Sequence, residues 1–174
     1  MADILRLDRY DLAILNALQR DGRMTWLELA ERVNLSATAC QRRVRSLQER
    51  QVIRHFTVAL DFAQLGYGVH AFLSVNVDRR NVGLANEFRR TIASYPEVLA
   101  CYMLSGSVDF LLDVVAPDLQ GYGRFVEERI LSLPGVKDAS SAIVLDAVKE
   151  SPASITVPGT SKVTTDTARS RRSQ

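Results

Sequence analysis

Arg42, Arg43, Arg45 and Arg50 stand close together, opposed in that stretch only by Glu49. Clustered guanidinium groups with little acid beside them suit phosphate oxygens, whose neutralisation dominates nonspecific affinity for nucleic acids. The remaining reactive side chains form no such cluster. Cys40 and Cys101 lie far apart with no Cys-x-x-Cys pair, and the only two histidines, His55 and His70, occupy unrelated surroundings. Zinc sites need ligand pairs at short spacing, so a structural metal is not expected. Both cysteines read as reduced core residues, and both histidines as ordinary strand residues.

The arginines need a helix to present them, and the first sixty residues carry three helical patterns. Asp8 is a candidate N-cap for a helix with Leu12, Ile14, Leu15 and Leu18 on its apolar side, ending near Asp21-Gly22. Thr25 and Glu28 have the spacing of a capping box, and the helix behind them turns Leu29, Ala30 and Val33 inward. Asn34-Leu35-Ser36 breaks the pattern, because Asn tolerates left-handed backbone and Ser36 is a good cap for a third helix. That helix runs to about Arg50, with Cys40, Val44 and Leu47 on one face and Thr38, Gln41 and the arginines on the others. Two helices joined by a tight turn, the second rich in polar and arginine residues, fit a helix-turn-helix. The periodicity alone fits a three-helix bundle with a solvated arginine face equally well; the four arginines favour the first.

Residues 52–61 read as a strand, and Gly66-Tyr67-Gly68 as a hinge. These glycines are not a dinucleotide-binding fingerprint, since the third glycine and the following helix are missing. Beyond them Val69, Ala71, Leu73, Val75 and Val77 alternate as a strand, and Ala85, Phe88, Ile92 and Tyr95 keep helical spacing. Strands at 98–104 and 109–116 flank Ser105-Gly106-Ser107-Val108 as a hairpin. A helix marked by Leu119, Tyr122, Val126, Ile130 and Leu133 stops at Pro134-Gly135, and a last strand covers about 138–148. The order βαββαβ is the split βαβ, ferredoxin-like arrangement. Its helices pack on one sheet face, so the other face needs a partner, and self-association through the sheets is expected.

The chain has 174 residues, 47% hydrophobic and 24% charged, with net charge +2. That composition suits a soluble α+β protein with one large domain or two small ones. Residues 1–60 carry ten Lys/Arg against seven Asp/Glu, residues 61–151 eight against twelve, and residues 152–174 four against one. Basic ends around an acidic middle suggest a nucleic-acid-binding arm joined to a domain with another task. Neither a membrane span nor a signal peptide is recognisable, which leaves the cytoplasm. The expected division is a helix-turn-helix domain over 1–52, a strand and hinge over 53–68, a ferredoxin-like domain over 69–150, and a basic, disordered tail over 151–174 ending in Arg169, Arg171 and Arg172.

Leu7-Asp8-Arg9-Tyr10-Asp11, Asp21-Gly22-Arg23, Glu28-Leu29-Ala30, Leu35-Ser36 and Arg43-Val44-Arg45 together resemble the DNA-binding half of the Lrp/AsnC, or feast/famine, transcriptional regulators. Ser105-Gly106-Ser107-Val108-Asp109-Phe110-Leu111-Leu112 resembles that family's Ser-Gly-Asp-x-Asp-Tyr-Leu-Leu loop, and Leu133-Pro134-Gly135-Val136 its approach to the last strand. The resemblance covers about residues 3–150. It implies a winged-helix-like helix-turn-helix followed by a ferredoxin-like effector and oligomerisation domain. It also implies a non-enzymatic, nucleoid-associated protein that binds near-palindromic double-stranded DNA, with homodimers assembling further, up to octamers.

By the same resemblance the third helix reads DNA. Ser36, Ala37, Thr38, Gln41 and Arg42 would approach base edges, while Arg43, Arg45 and Arg50 would hold phosphates. A small amino acid would be the effector, and no other cofactor or metal is implied. Successive amides of Ser105, Gly106, Ser107 and Val108 could receive its carboxylate, and Asp109 its ammonium. A plain hairpin turn is the alternative. Ser107 stands where the family usually has an acid. Ala139-Ser140-Ser141 stands where it often has Thr-x-Thr, so only Ser141 keeps a hydroxyl. Trp26 occupies a position that is usually polar. An architectural DNA-binding protein of the same fold, without an effector, is the competing function.

Overall fold

The computed structural model describes residues 7–78 and 80–149, so the expectation for the basic tail lies outside the described residues. The chain divides into two compact units, one within residues 1–59 and one from Leu60 to Glu150.

The first unit is three helices, α1 (Arg9–Arg20), α2 (Trp26–Val33) and α3 (Ala37–Glu49). Each starts where a side chain answers amides that the helix cannot satisfy itself. Asp8 accepts from the N–H groups of Tyr10 and Asp11, and the Asp11 carboxylate accepts from Asp8 N–H, closing a capping box. Thr25 and Glu28 close a second box at α2, and the Thr25 N–H and hydroxyl hold the Glu28 carboxyl below the usual carboxylate range. Ser36 caps α3 by accepting from Ala39 N–H, with no acid in the first turn. Asn34 takes the left-handed conformation at φ 55° between α2 and α3. Ile14, Leu29, Cys40, Val44 and Leu47 form the core.

The expected strand over 52–61 does not form. Residues 54–61 form no regular element, and Phe56, Val58 and Leu60 along them are exposed. A strand needs a neighbour for its backbone groups, and the described chain offers none here.

The second unit is β1 (Val69–Val77), α4 (Val82–Ile92), β2 (Val98–Met103), β3 (Phe110–Ala116), α5 (Leu119–Arg124) with a π-helical continuation over Phe125–Ile130, and β4 (Val136–Ile143). The antiparallel sheet has the order β2-β3-β1-β4, the ferredoxin-like topology. Ala71, Leu73, Val75 and Val77 of β1 and Phe110, Leu112, Val114 and Ala116 of β3 share the helix-covered face and build the core with Phe88, Ile92 and Ile130.

Three expectations change in this unit. The second helix is not uniformly α: Leu131 N–H reaches back five residues to the Val126 carbonyl. The wider turn lets Phe125 and Ile130, five apart, both face the core. β4 starts at Val136 and stops at Ile143, earlier than expected at both ends. Val144 N–H makes one more bond, to the His70 carbonyl, but β1 begins at Val69 and offers nothing further, so Leu145 and Val148 stand exposed. Cys40 is buried, whereas Cys101 is exposed, because its strand β2 is the sheet edge.

The uncovered face carries Phe72 and Tyr102, 37% and 55% exposed. It also carries a pair absent from the sequence reading, in which His70 Nε2 lies 2.6 Å from an Asp113 carboxylate oxygen. His70 and Asp113 are distant in sequence, and only the β1–β3 register brings them together.

Candidate functional site

α3 presents Thr38, Gln41, Arg42 and Arg45 to solvent at i, i+3, i+4 and i+7, opposite its buried stripe of Cys40, Val44 and Leu47. These four share one face because the helix repeats every 3.6 residues. Ser36 is exposed but spends its oxygen on the cap, and Ala37 is half-buried. Arg45 forms an exposed pair with Glu49 at 3.1 Å, a contact worth little in water and readily exchanged. Arg50 closes the helix at its C-cap and is exposed.

Arg43 does not stand with the others on that exposed face. Its position flanks the buried stripe, and its guanidinium donates to Asp8 and Asp11, each at 2.8 Å, with the Tyr10 ring 5.4 Å away. The Asp11 N–H and the Arg43 guanidinium hold the Asp8 carboxyl below its ordinary range, and the Asp11 and Asp8 carboxylates hold Arg43 above its own. This arginine staples α3 to the start of α1.

In the second unit the turn Ser105–Val108 joins β2 to β3, closed by Leu104 N–H donating to the Asp109 carbonyl at 2.9 Å. Gly106 sits at φ 138°, a conformation that favours glycine. Ser105, Gly106 and Ser107 are exposed, and Val108 is half-buried. Asp109 is buried, and its carboxylate accepts from Val77 N–H at 2.9 Å while its own N–H donates to the Asn76 side chain at 3.1 Å. It therefore ties the hairpin to the end of β1, a structural task its sequence position did not reveal.

Beside it lies a cleft of about 250 Å³. Val82, Ala85 and Arg89 of α4 form one wall, at i, i+3 and i+7. Val77 of β1 and Met103, Leu104, Asp109 and Phe110 of the hairpin form the rest. Of the expected effector residues only Asp109 is among these. Ser141 is not: it accepts from the Tyr122 hydroxyl at 2.8 Å on the helix-covered side of β4. The helical spacing of Val82, Ala85 and Arg89 was visible in the sequence, but which strand end they meet was not.

Two family models account for most of the chain. The AsnC-type helix-turn-helix domain matches residues 7–48, and the Lrp/AsnC ligand binding domain matches residues 70–154. The chain belongs to the Lrp/AsnC family. It is 37% identical over 142 residues to the Bkd operon transcriptional regulator of Pseudomonas aeruginosa, covering 82% of this chain and 93% of that one. It is 36% identical over 145 residues to the leucine-responsive regulatory protein of Escherichia coli, covering 83% and 88%. A transcriptional regulator of Neisseria meningitidis, solved as its L-Met complex, superposes with a TM-score of 0.82 at 35% identity, covering 86% of this chain and 97% of that one. An AsnC family transcriptional regulator of Agrobacterium tumefaciens superposes with a TM-score of 0.78 at 34% identity, covering 84% and 95%. The chain is thus a helix-turn-helix transcriptional regulator of this family, and these relatives are regulators rather than enzymes. Among the described residues no helix is long and apolar enough to cross a membrane.

Proposed function

We propose that this regulator binds near-palindromic DNA sequence-specifically as a homodimer or higher assembly, and that a small amino acid modulates its binding or assembly at the nucleoid. The observation that carries the reading is the α3 face: Gln41, Thr38 and Arg42 offer amide, hydroxyl and guanidinium groups to base edges, with Arg45 beside them for phosphates. Arg50 extends the phosphate contacts, Ser36 and Ala37 border the base-reading turn, and Arg43 holds α3 in place.

Self-association is supported by the uncovered sheet face and by the 54–61 segment, exposed and apolar at Phe56, Val58 and Leu60, whose backbone has no strand partner in the described chain. A two-fold assembly would set recognition helices about 34 Å apart, one turn of DNA. Modulation by an amino acid is supported by the cleft beside Asp109 and by the L-Met complex of the Neisseria relative. The test is fluorescence anisotropy on the upstream DNA of its own gene against a scrambled duplex at fixed salt, repeated with each of the twenty amino acids. A sequence preference altered by one or a few of them is the expected result. Binding that ignores sequence and every amino acid would establish the architectural function instead.

A further inference from the structure

Thr38, Gln41, Arg42 and Arg45 share the exposed face of α3, but their polar groups are not equally available. Of the arginines inside the helix, Arg43 is held by Asp8 and Asp11, and Arg45 is paired with Glu49. Arg42 and its neighbour Gln41 make no hydrogen bond, ion pair or ring contact among the described residues. We infer that these two side chains set the sequence preference, Gln41 by reading an adenine and Arg42 by reading a guanine in the neighbouring base pair. Each half-site then carries an A·T pair beside a G·C pair; the inference rests on the proposed sequence-specific binding and assigns it a base code.

The assignment follows from donors and acceptors. In the major groove guanine presents two acceptors, N7 and O6, whereas adenine presents the acceptor N7 beside the donor N6. The Arg42 guanidinium has donors only and matches guanine; the Gln41 amide has a carbonyl acceptor beside an NH2 donor and matches adenine. Exchanging them sets guanidinium N–H against the adenine N6 hydrogens, or the amide oxygen against a guanine acceptor. Residues 41 and 42 are about 1.5 Å apart along the helix axis, less than the roughly 3.4 Å between stacked base pairs. One pair cannot be A·T and G·C at once, so the two side chains take adjacent pairs. Thr38 stands one turn before Arg42 on the same face; its hydroxyl serves any base, so it adds affinity rather than preference. The first turn of α3 holds no acid to compete for the guanidinium.

The experiment selects duplexes from a random library with the full chain, then measures anisotropy on the selected site with 7-deazaguanine or 7-deazaadenine placed at single positions. Each analogue removes one N7 acceptor and nothing else from the groove. For the unaltered chain, one guanine and one adenine in adjacent pairs of each half-site should each cost roughly 3- to 30-fold when replaced, the loss of one hydrogen bond. Arg42→Ala should bind the selected site roughly 5- to 150-fold more weakly, ignore 7-deazaguanine and stay sensitive to 7-deazaadenine. Gln41→Ala should show the converse, and Thr38→Ala should weaken binding while keeping both sensitivities. All three side chains are exposed, so an unchanged Trp26 fluorescence melt is expected of each variant. Sensitivities that persist in both Arg42→Ala and Gln41→Ala, that are exchanged between them, or that fall in separated base pairs would overturn the base code while leaving sequence-specific binding standing. A selection that enriches no sequence would overturn both.

Discussion

Replacing Arg43 by alanine separates stability from DNA contact in the helix-turn-helix. Its guanidinium bonds Asp11, whose side chain is 10% exposed, and Asp8, 49% exposed, each at 2.8 Å. A hydrogen bond to a charged group contributes about 1.5–3 kcal/mol. The more exposed Asp8 contact adds no more than about 0.5 kcal/mol after solvent screening, so Arg43→Ala should cost about 2 kcal/mol. In a unit this small each kcal/mol moves Tm by roughly 4–8 °C, and the transition should fall on the order of 10 °C. Trp26, the only tryptophan, lies in the same unit and reports it by fluorescence. The depressed Asp8 carboxyl contributes stability above the unfolded carboxylate range that is lost as pH falls through its lower folded value. The difference between the two proteins should therefore shrink below about pH 4. Arg45→Ala, on the exposed face, should leave Tm nearly unchanged and lower the salt slope of DNA binding by about one. If Arg43→Ala kept the original Tm and lowered the salt slope instead, the structural role derived for Arg43 would be refuted.

Tyr122→Phe removes the hydroxyl bonded to Ser141 and should cost about 1 kcal/mol in urea denaturation. Adding Ser141→Ala to it should cost little more, and fully additive losses would deny the pair. Gly135→Ala combines a φ of 84° with a new Cβ only 2.9 Å from Leu84 Cβ. It should cost about 3 kcal/mol, whereas Gly66→Ala, at φ 88° with open space around it, should cost about 1 kcal/mol; similar urea midpoints for the two would show that Leu84 yields. Glu28→Gln should lower helix-turn-helix stability at neutral pH and lose that effect in acid, because the Glu28 carboxyl is depressed by its capping bonds. A pH-independent difference would show that the charge is not responsible.

The helices of the first unit were legible because caps and periodicity are local: Asp8, Thr25 and Ser36 each act within three residues. The ferredoxin-like order was legible because strand alternation and helical spacing change where the elements change. The pairings were not. Arg43 reads as one more cation until α1 is folded beside it, and Asp109 reads as a ligand group until β1 ends against it. Ser141 carries the expected hydroxyl, but its side of the sheet depends on the β1–β4 register. Cys101 sits at an edge because β2 is last in spatial order, and the 54–61 segment finds no strand neighbour among the described residues.

The caps of the three N-terminal helices also record a stability left unused. α1 and α2 each place an acid at the third position, Asp11 and Glu28, completing a reciprocal box. α3 has Ala39 there, although Ser36 is already in place to receive the same arrangement. Ala39→Glu would complete the box and firm the helix by a fraction of a kcal/mol. On the proposed docking geometry the same carboxylate would stand in the turn that approaches DNA and repel the phosphates. The helix proposed to meet the nucleic acid is the one that forgoes the acid, keeping the positive end of its dipole uncancelled, so on that proposal a firmer fold and tighter binding pull in opposite directions in that turn.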